Sequence, residues 1–237
     1  MKPVAGLLFL IAVVSLAACS STPSRDGQGP HRRSFEFKRL GKTDIDTIVE
    51  IHHQRVMEHL RSLMIKLYRR NPVQLRRAGN ASIQQRLNAV FGPEGPAQLP
   101  ELDGCKAIAC IHLALNPAYA GDRVMALIMG LATMCHAAYG NKTEFYLFDR
   151  LDPQKLYNSA RNIEIAVWKL SNTRDGEGRL LLLSNSRPGE TRNLSYERLL
   201  GKIISLQDTL AIILADGSNR VIKKVIQNMA TAVFLPI

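Results

Sequence analysis

The sequence predicts an all-α protein, a multi-helix bundle of about seven to nine helices. Apolar residues make up 46% of the 237 residues, which is enough to bury a core and excludes a wholly disordered chain. Aromatic residues make up only 6%, whereas Leu, Ile, Ala and Met are abundant and favour helices over strands. Beyond residue 41, apolar residues also recur at helical spacing along most of the chain.

The first nineteen residues have the layout of an export signal. A lysine at position 2 precedes an uncharged apolar run over 4–14, and small residues then lead to a cysteine. The apolar run is short for a membrane-spanning helix. The segment Leu16-Ala17-Ala18-Cys19 resembles the lipobox of bacterial lipoprotein precursors. This resemblance covers about the first twenty-four residues and does not extend to the body of the chain.

The resemblance implies a lipid anchor. In such precursors the signal peptide, here residues 1–18, is removed, and Cys19 carries a thioether-linked lipid and an acylated amino group. Ser20, rather than Asp, follows the cysteine, which implies sorting to the periplasmic side of the outer membrane. An ordinary cleaved signal with a chance cysteine, or an uncleaved N-terminal anchor, is the alternative.

Residues 19–41 have the composition of a flexible basic tether. Ser, Thr, Pro, Gly and Gln precede two basic clusters, and Phe35 and Phe37 are the large apolar residues of the segment. The 22 residues after Cys19 reach roughly 70 Å when fully extended. Interleaved aromatic and basic side chains suit a lipid headgroup region, and a solvated linker is equally compatible. We expect a helical domain over 42–237.

A basic helical hairpin is predicted over 42–91. Its first helix has one apolar stripe, which consists of Ile45, Val49, His52, Val56, Leu60, Leu63 and Leu67. Thr43 or Asp44 can cap this helix, and Asn71-Pro72 ends it. Shorter helices follow over 73–78 and 82–91. Residues 25–90 hold 14 basic and 6 acidic residues, a net charge of +8, whereas 91–237 carry only +2.

An apolar helical core is predicted over 103–237, after a Pro- and Gly-rich connection. One helix covers 103–115, and Asp122 caps the next, whose apolar part is too short to span a membrane and therefore predicts a buried central helix. Asp152-Pro153 begins another helix that continues to residue 170.

The remainder of the core includes one ambiguous segment. Residues 171–178 read as a surface turn, and 179–184 as either a helical turn or a short extended segment. Ser195 opens a long helix with Leu199, Ile203, Leu206, Leu210 and Ile213 on one face. After a break at 216–217, a final helix is predicted from residue 218 or 219, and the apolar C-terminus is expected to pack down.

Three histidines near one another in sequence are candidate metal ligands. His52 and His59 are seven residues apart and share a helix face, whereas His53 points about 100° away from His52. Glu50 and Glu58 could add oxygen ligands, but the motif His-Glu-x-x-His is not present. Since His52 also lies on the apolar stripe, a hydrogen-bonded core histidine is the simpler interpretation. We therefore predict no metal and no other cofactor.

The cysteines left after lipidation of Cys19 form an odd set. An oxidising compartment would permit one disulfide among Cys105, Cys110 and Cys135. If Cys105 and Cys110 lie on one helix, their spacing points the side chains apart and excludes a bond. Cys110 and Cys135 could bridge two antiparallel helices, and three buried thiols are the alternative that we favour. Apolar surroundings raise a thiol pKa, so no cysteine catalysis is expected.

The basic hairpin predicts an anionic partner. The candidate residues are Arg55, Arg61, Lys66, Arg69, Arg70, Arg76 and Arg77, and Arg86 continues the series. Export would remove nucleic acid from reach, which leaves anionic lipid, lipid A phosphates or peptidoglycan carboxylates, each bound in a salt-dependent way. A protein partner in the envelope is another option, and a solvated charged face is the alternative without a partner.

No catalytic template fits the sequence. It lacks a Gly-x-Ser-x-Gly elbow, a phosphate-binding loop and a Cys-x-x-Cys pair. We therefore predict a lipid-anchored, non-catalytic binding or structural component of the cell envelope. Two alternatives remain: an envelope hydrolase or metal-dependent enzyme built on His52, His53 and His59, and a carrier that holds a lipid between apolar helices.

Overall fold

The helices confirm the all-α fold. A computed structural model describes residues 42–146, 149–186, 189–191 and 193–237. The helices in this part of the chain are α1 (Asp44–Arg70), α2 (Val73–Arg77), α3 (Ile83–Phe91), α4 (Ala107–Leu115), α5 (Arg123–Ala138), α6 (Pro153–Asn172) and α7 (Ser195–Gly217). A 3-10 turn covers Pro100–Leu102. The predicted signal peptide, lipobox and tether lie outside the described residues.

Helix starts follow the capping residues of the sequence. The Thr43 side chain accepts a hydrogen bond from Asp46 N at 3.2 Å, and Asp46 Oδ2 accepts one from Thr43 N at 2.7 Å. Ser82 and Gln85 form the same reciprocal pair at the start of α3. Asp122 accepts from the N–H of Met125 and so caps α5. These local hydrogen bonds explain why the predicted starts of α1, α3 and α5 are confirmed.

Helix α5 is the centre of the bundle. Thirteen of its sixteen residues are buried, and it contacts α1, α3, α4 and α6. The described part of the chain contains no helix that is both long and apolar enough to cross a membrane. The interpretation of this segment as a buried core helix is therefore confirmed. Residues 40–237 form one compact unit around this core.

The buried stripe of α1 differs from the predicted stripe at two positions. Ile45 is exposed, and His53 rather than His52 is buried. His53 faces α5, where its ring contacts His136, whereas His52 lies at the border with α7 and donates from Nδ1 to Leu206 O at 3.0 Å. A sequence period near 3.6 does not determine the phase of the stripe, because the positions of the neighbouring helices select which residues are covered.

The predicted helix over 103–115 was wrong at its start. Asp103 and Gly104 have left-handed φ values of 48° and 66°, and α4 begins only at Ala107. Cys105 therefore lies before the helix and forms a disulfide with Cys110, with Cα atoms 5.2 Å apart. The expectation that this bond is excluded was wrong, because it assumed one continuous helix. Cys135 is a free buried cysteine, so the proposed pair with Cys110 is not formed, and the favoured alternative of three buried thiols was wrong as well.

The predicted final helix is not formed. Residues 220–228 have no regular secondary structure, and amide side chains of α6 hold the C-terminal segment. Gln154 exchanges two hydrogen bonds with the backbone of Lys223, and Asn162 does the same with Leu235. Val221, Ile222, Val225 and Ile226 are all β-branched, and such side chains lower helix propensity. The apolar C-terminus does pack down, as expected, since Phe234 contacts the ring of His112 edge-on.

Residues 179–184 form neither a helix nor a strand. An isolated antiparallel bridge joins Arg174 and Leu180, and Asp175 accepts hydrogen bonds from the N–H groups of Glu177 and Arg179 in the turn between them. The helical interpretation of this segment was therefore wrong, and one isolated bridge at Leu180 is the β-structure that it contains.

Two glycines in helix interiors provide a test of the central packing. A Cβ atom at Gly130 of α5 would lie 2.7 Å from Ile111 Cγ1 and 2.8 Å from the backbone of α4, whereas one at Gly201 of α7 would meet nothing within 4 Å. We expect Gly130→Ala to lower the free energy of unfolding by about 1–3 kcal/mol, because the helices must separate. Gly201→Ala should raise it by about 0.5–1 kcal/mol through helix propensity alone.

Chemical denaturation of the two variants measures both effects. Opposite signs confirm the close contact between α4 and α5, and stabilisation by Gly130→Ala would contradict it.

Candidate functional site

An arginine-lined cleft is the candidate site. It lies between α2, the loop over 116–120 and the segment over 171–186, and its volume is about 1120 Å³. Its lining includes four arginines, namely Arg77, Arg123, Arg174 and Arg179. Asp175 is the one acidic residue among the described lining residues. The cleft therefore carries an excess of positive charge, which we call the arginine cleft.

Arg123 forms the fixed base of the arginine cleft. Its buried guanidinium donates to four backbone carbonyls, those of Ala114 (2.8 Å), Asn116 (2.6 Å), Pro117 (3.0 Å) and Tyr119 (2.5 Å). One of these carbonyls, that of Ala114, lies in the last turn of α4, where the helix dipole favours a cation. Burial lowers the pKa of Arg123, and the nearby charge of Arg77 lowers it further. Arg123 thus shapes one wall and adds positive potential.

Amide side chains position the opposite wall. Asn71, which ends α1, donates to Leu67 O at 2.8 Å and to Leu183 O at 2.9 Å, and it accepts from Leu183 N at 2.8 Å. Gln74 of α2 accepts from the backbone N–H of Arg123 at 2.9 Å. These bonds connect the end of α1 to the extended segment and to the start of α5. The cleft is therefore built on rigid elements.

The remaining arginines differ in how far they are neutralised. Arg179 contacts both Asp175 (3.0 Å) and Glu177 (2.6 Å). Arg174 donates to Gly178 O at 3.0 Å, and Arg77 is exposed on α2. Neither Arg174 nor Arg77 forms an ion pair with a described residue within 4.0 Å. These two guanidinium groups are accordingly the ones that can receive an anionic ligand.

The structure distributes the predicted basic residues over several environments. Arg77 lies in the cleft and Arg61 lines a separate groove beside His53. Arg55 pairs with Glu58 at 2.9 Å, and Arg70 pairs with Glu190. Three further candidates form no ion pair with the described residues: Lys66, Arg69 and Arg76. The predicted residues therefore do not form one continuous patch.

Arg86 is a core residue instead of a surface residue. It is buried and contacts Glu101 at 2.7 Å and Asp122 at 3.3 Å. Tyr68 donates to the same Asp122 carboxylate at 2.7 Å. Burial raises the pKa of Asp122, and the hydrogen bonds from Tyr68 and Met125 oppose that shift. This polar network fixes the start of α5 and is structural, since no part of it faces the cleft lining.

The three candidate metal ligands are not brought together. His52 contacts Leu206 O, His53 contacts His136, and His59 is half-buried near the charge of Lys202. No group of three or more His, Cys, Asp or Glu side chains in the described ranges is arranged to hold a metal ion. Glu50 is occupied as well, because it accepts from Lys42 Nζ and from Phe145 N.

His53, which is buried, and His136, which is half-buried, instead form a hydrogen-bonded pair. The Nε2 atom of His53 lies 3.2 Å from Nδ1 of His136, so one nitrogen donates and the other accepts. Burial and the charge that His136 would carry lower the pKa of His53 to about 4. Burial also lowers the pKa of His136. Both rings are therefore neutral at neutral pH, and a neutral ring can supply either the donor or the acceptor nitrogen of this hydrogen bond.

Cys135 lies in the core next to this pair. Its sulfur accepts from Ser159 Oγ at 3.8 Å and from Gln207 Nε2 at 3.7 Å. Burial raises the pKa of the thiol to about 12. A thiol that stays protonated at neutral pH is a poor nucleophile. The side chain therefore serves as a small core residue.

Sequence reasoning missed most of the arginine cleft. Arg123, Arg174 and Arg179 were not among the candidates, although Arg123 is the one charged residue at the start of an otherwise apolar helix. That isolation is a usable signal, because a charge next to a buried helix must find partners. Arg174 and Arg179 lie in a charged turn, and no local pattern connects that turn to α2.

The histidine pair predicts a pH-dependent stability. Between pH 6.5 and pH 4 the unfolded chain binds a proton at His53 that the folded protein does not, so stability decreases as the pH falls through this window. The loss amounts to about 3 kcal/mol. His53→Gln should flatten this part of the profile of melting temperature against pH.

His112→Gln, a change of the same chemistry outside the pair, serves as the control and should keep the wild-type slope. An unchanged slope in His53→Gln would show that the pair does not cause the effect.

Comparison with known proteins assigns no family to the chain. No protein-family model matches it, and neither a curated protein nor a solved structure does so. Its function must therefore be inferred from its own residues.

Proposed function

We propose that the protein is a lipid-anchored, non-catalytic binding component of the cell envelope, whose arginine cleft receives an anionic group. The cleft carries this proposal, because Arg77 and Arg174 face it without a carboxylate partner among the described residues. The lipobox-like segment that ends at Cys19 supports the location. Several acyl chains on that residue would anchor the protein almost irreversibly on the periplasmic side of the outer membrane.

Guanidinium groups define the chemistry of the ligand. A planar guanidinium binds a carboxylate or a phosphate through two parallel hydrogen bonds, which gives both affinity and orientation. Arg123 adds positive potential from the base of the cleft, and Ser184, Ser186 and Asn185 add polar groups. Peptidoglycan carboxylates and lipid A phosphates are the envelope groups with this chemistry.

The two alternatives have less support. A metal-dependent enzyme on His52, His53 and His59 would need these side chains to converge, and each has a different partner. A carrier would need room for an acyl chain beside α5. The apolar cavity between Leu63, Leu127 and Leu200 has a volume of only about 10 Å³, which is at most enough for one water molecule and far too small for an acyl chain.

A charge-reversal experiment tests the arginine cleft. The double variant Arg77→Glu with Arg174→Glu changes two exposed side chains and should preserve folding. We expect co-sedimentation with purified peptidoglycan, or with lipid A vesicles, to weaken at least about tenfold, because charge-assisted hydrogen bonds are lost. The two probes identify whether the bound group is a carboxylate or a phosphate.

The matched control is Arg55→Glu with Arg69→Glu, which changes the net charge equally on the outer face of α1. We expect near-wild-type binding from this control. Equal weakening by both double variants would assign binding to diffuse charge and contradict a specific cleft.

A second experiment tests the anchor. Intact mass spectrometry of protein extracted from membranes should give a chain that begins at acylated Cys19. Cys19→Ser should remain unprocessed, because the thioether cannot form. A wild-type chain that keeps Met1, or that is cut elsewhere without acyl groups, would contradict the lipoprotein assignment.

A further inference from the structure

The segment after α7 exposes apolar side chains to an unusual degree. Ile226 is 99% exposed and Val221 is 90% exposed, and Val225 between them is also exposed. Single exposed apolar residues are common on protein surfaces, whereas three large ones within six positions form a group that marks an interaction site. Their exposure in this segment requires a partner that covers them.

The sequence of this segment is amphipathic if it is helical. Its apolar residues are Val221, Ile222, Val225, Ile226 and Met229, with spacings of 1, 3, 1 and 3. On a helix these positions share one face. Arg220, Lys223 and Lys224 then project from the opposite side, together with Gln227 and Asn228. This arrangement of apolar and basic residues is typical of helices that lie in a membrane interface.

Side-chain hydrogen bonds hold the segment in its non-helical conformation. Gln154 bonds the backbone of Lys223, and Tyr157 Oη accepts from Val225 N at 3.3 Å. The last residues have their own contacts with α6, because Asn158 and Asn162 bond Pro236 and Leu235, and Gln227 links the segment to the backbone of Val233. Residues 219–229 can leave the surface of α6 when the bonds of Gln154, Tyr157 and Gln227 break, while the C-terminus stays docked. A helix would then satisfy the backbone groups that water solvates in the extended segment.

The charge of the segment complements an anionic lipid surface. Between Asp216 and the C-terminus there are three basic residues and no acidic residue. None of the three forms an ion pair with a described residue. Basic side chains next to apolar ones meet lipid phosphates while the apolar face enters the acyl boundary. An apolar groove on a partner protein would cover the apolar face but would leave the three basic side chains without anionic partners.

The segment also lies near the first turns of α1, where the helical domain begins. Ile222 packs on a cluster that includes Val49 and Phe145, and Lys42 lies over the ring of Tyr146 next to this cluster. The exposed residues Ile45, Ile48, Ile212 and Ile213 belong to the first turns of α1 and the last turns of α7. The exposed apolar residues of the segment are therefore close to the start of the described chain at residue 42.

We infer that residues 219–229 fold into an amphipathic helix on an anionic phospholipid surface and form a second membrane contact besides the lipid anchor. This inference rests on the membrane location in the proposed function. The apolar face of the helix is buried at the acyl boundary, and its three cations contact lipid phosphates. Contact at this end fixes how the body, and with it the arginine cleft, is oriented towards the membrane.

Vesicle binding of the unacylated chain tests the inference. The chain from Ser20 to Ile237 retains the compact unit over 40–237 and lacks the lipidated cysteine. We expect it to bind vesicles of phosphatidylcholine mixed with phosphatidylglycerol, and to bind pure phosphatidylcholine at least tenfold more weakly. Far-ultraviolet circular dichroism should show a gain of helix on binding, and added salt should weaken the binding.

A double variant locates the contact. Val221→Ser with Ile226→Ser changes exposed side chains, so folding should persist, and vesicle binding should weaken at least tenfold with loss of the helix gain. Val233→Ser with Ile51→Ser, two exposed apolar residues outside the segment, is the matched control and should bind as the wild type does. Lys223→Gln with Lys224→Gln should abolish the preference for phosphatidylglycerol.

Three results would overturn the inference. They are binding without a gain of helix, equal binding by the double variant and its control, and absence of binding to the anionic vesicles. Self-association that Val221→Ser with Ile226→Ser abolishes, without any vesicle binding, would assign the segment to contact between copies instead. Failure here leaves the mass of the anchored chain and the effect of the cleft variants unchanged, so the proposed function is tested separately.

Discussion

Burial of α5 is the constraint on which the structure depends. A helix that is apolar around most of its circumference must be covered on every side, so α1, α3, α4 and α6 all pack against it. Gly130 allows α4 to approach closely, because a side chain there would overlap the α4 backbone. Each surrounding helix needs only one apolar face, and its outer face is therefore free to be basic.

The polar residues at the start of α5 link this core to the arginine cleft. Asp122 and Arg123 are both buried, and a buried charge is tolerated only when it is paired or hydrogen-bonded. The Asp122 carboxylate accepts a hydrogen bond from Tyr68 and forms an ion pair with Arg86, and these contacts bring α1 and α3 to the start of α5. Arg123 is satisfied by one carbonyl at the end of α4 and three carbonyls of the loop that follows it. The same requirement thus fixes the loop that forms one wall of the cleft.

Identical residue types have different roles because tertiary contacts separate them. Arg86 is a buried partner of carboxylates, Arg55 is a surface partner of Glu58, and Arg77 faces an open cleft. In the sequence the three belong to one basic series. Their net charge can be counted in the sequence. How many of these guanidinium groups can bind a ligand cannot, because that depends on which acidic residues the fold brings close enough to pair with them. The location of the positive potential is accordingly a property of the folded chain.

The sequence by itself determined the helical fold, the starts of α1, α3 and α5 and the central position of α5, because caps and apolar periodicity act within one or two turns of a helix. Tertiary structure decided which face of α1 is buried, and so placed His53 instead of His52 against α5. It also started α4 only at Ala107, whose N–H donates to Thr133 Oγ1, so that Cys105 lies outside the helix and bonds Cys110, and it held 219–229 in a non-helical conformation against Gln154. Each of these outcomes depends on a contact with a group distant in the chain, which no local pattern contains.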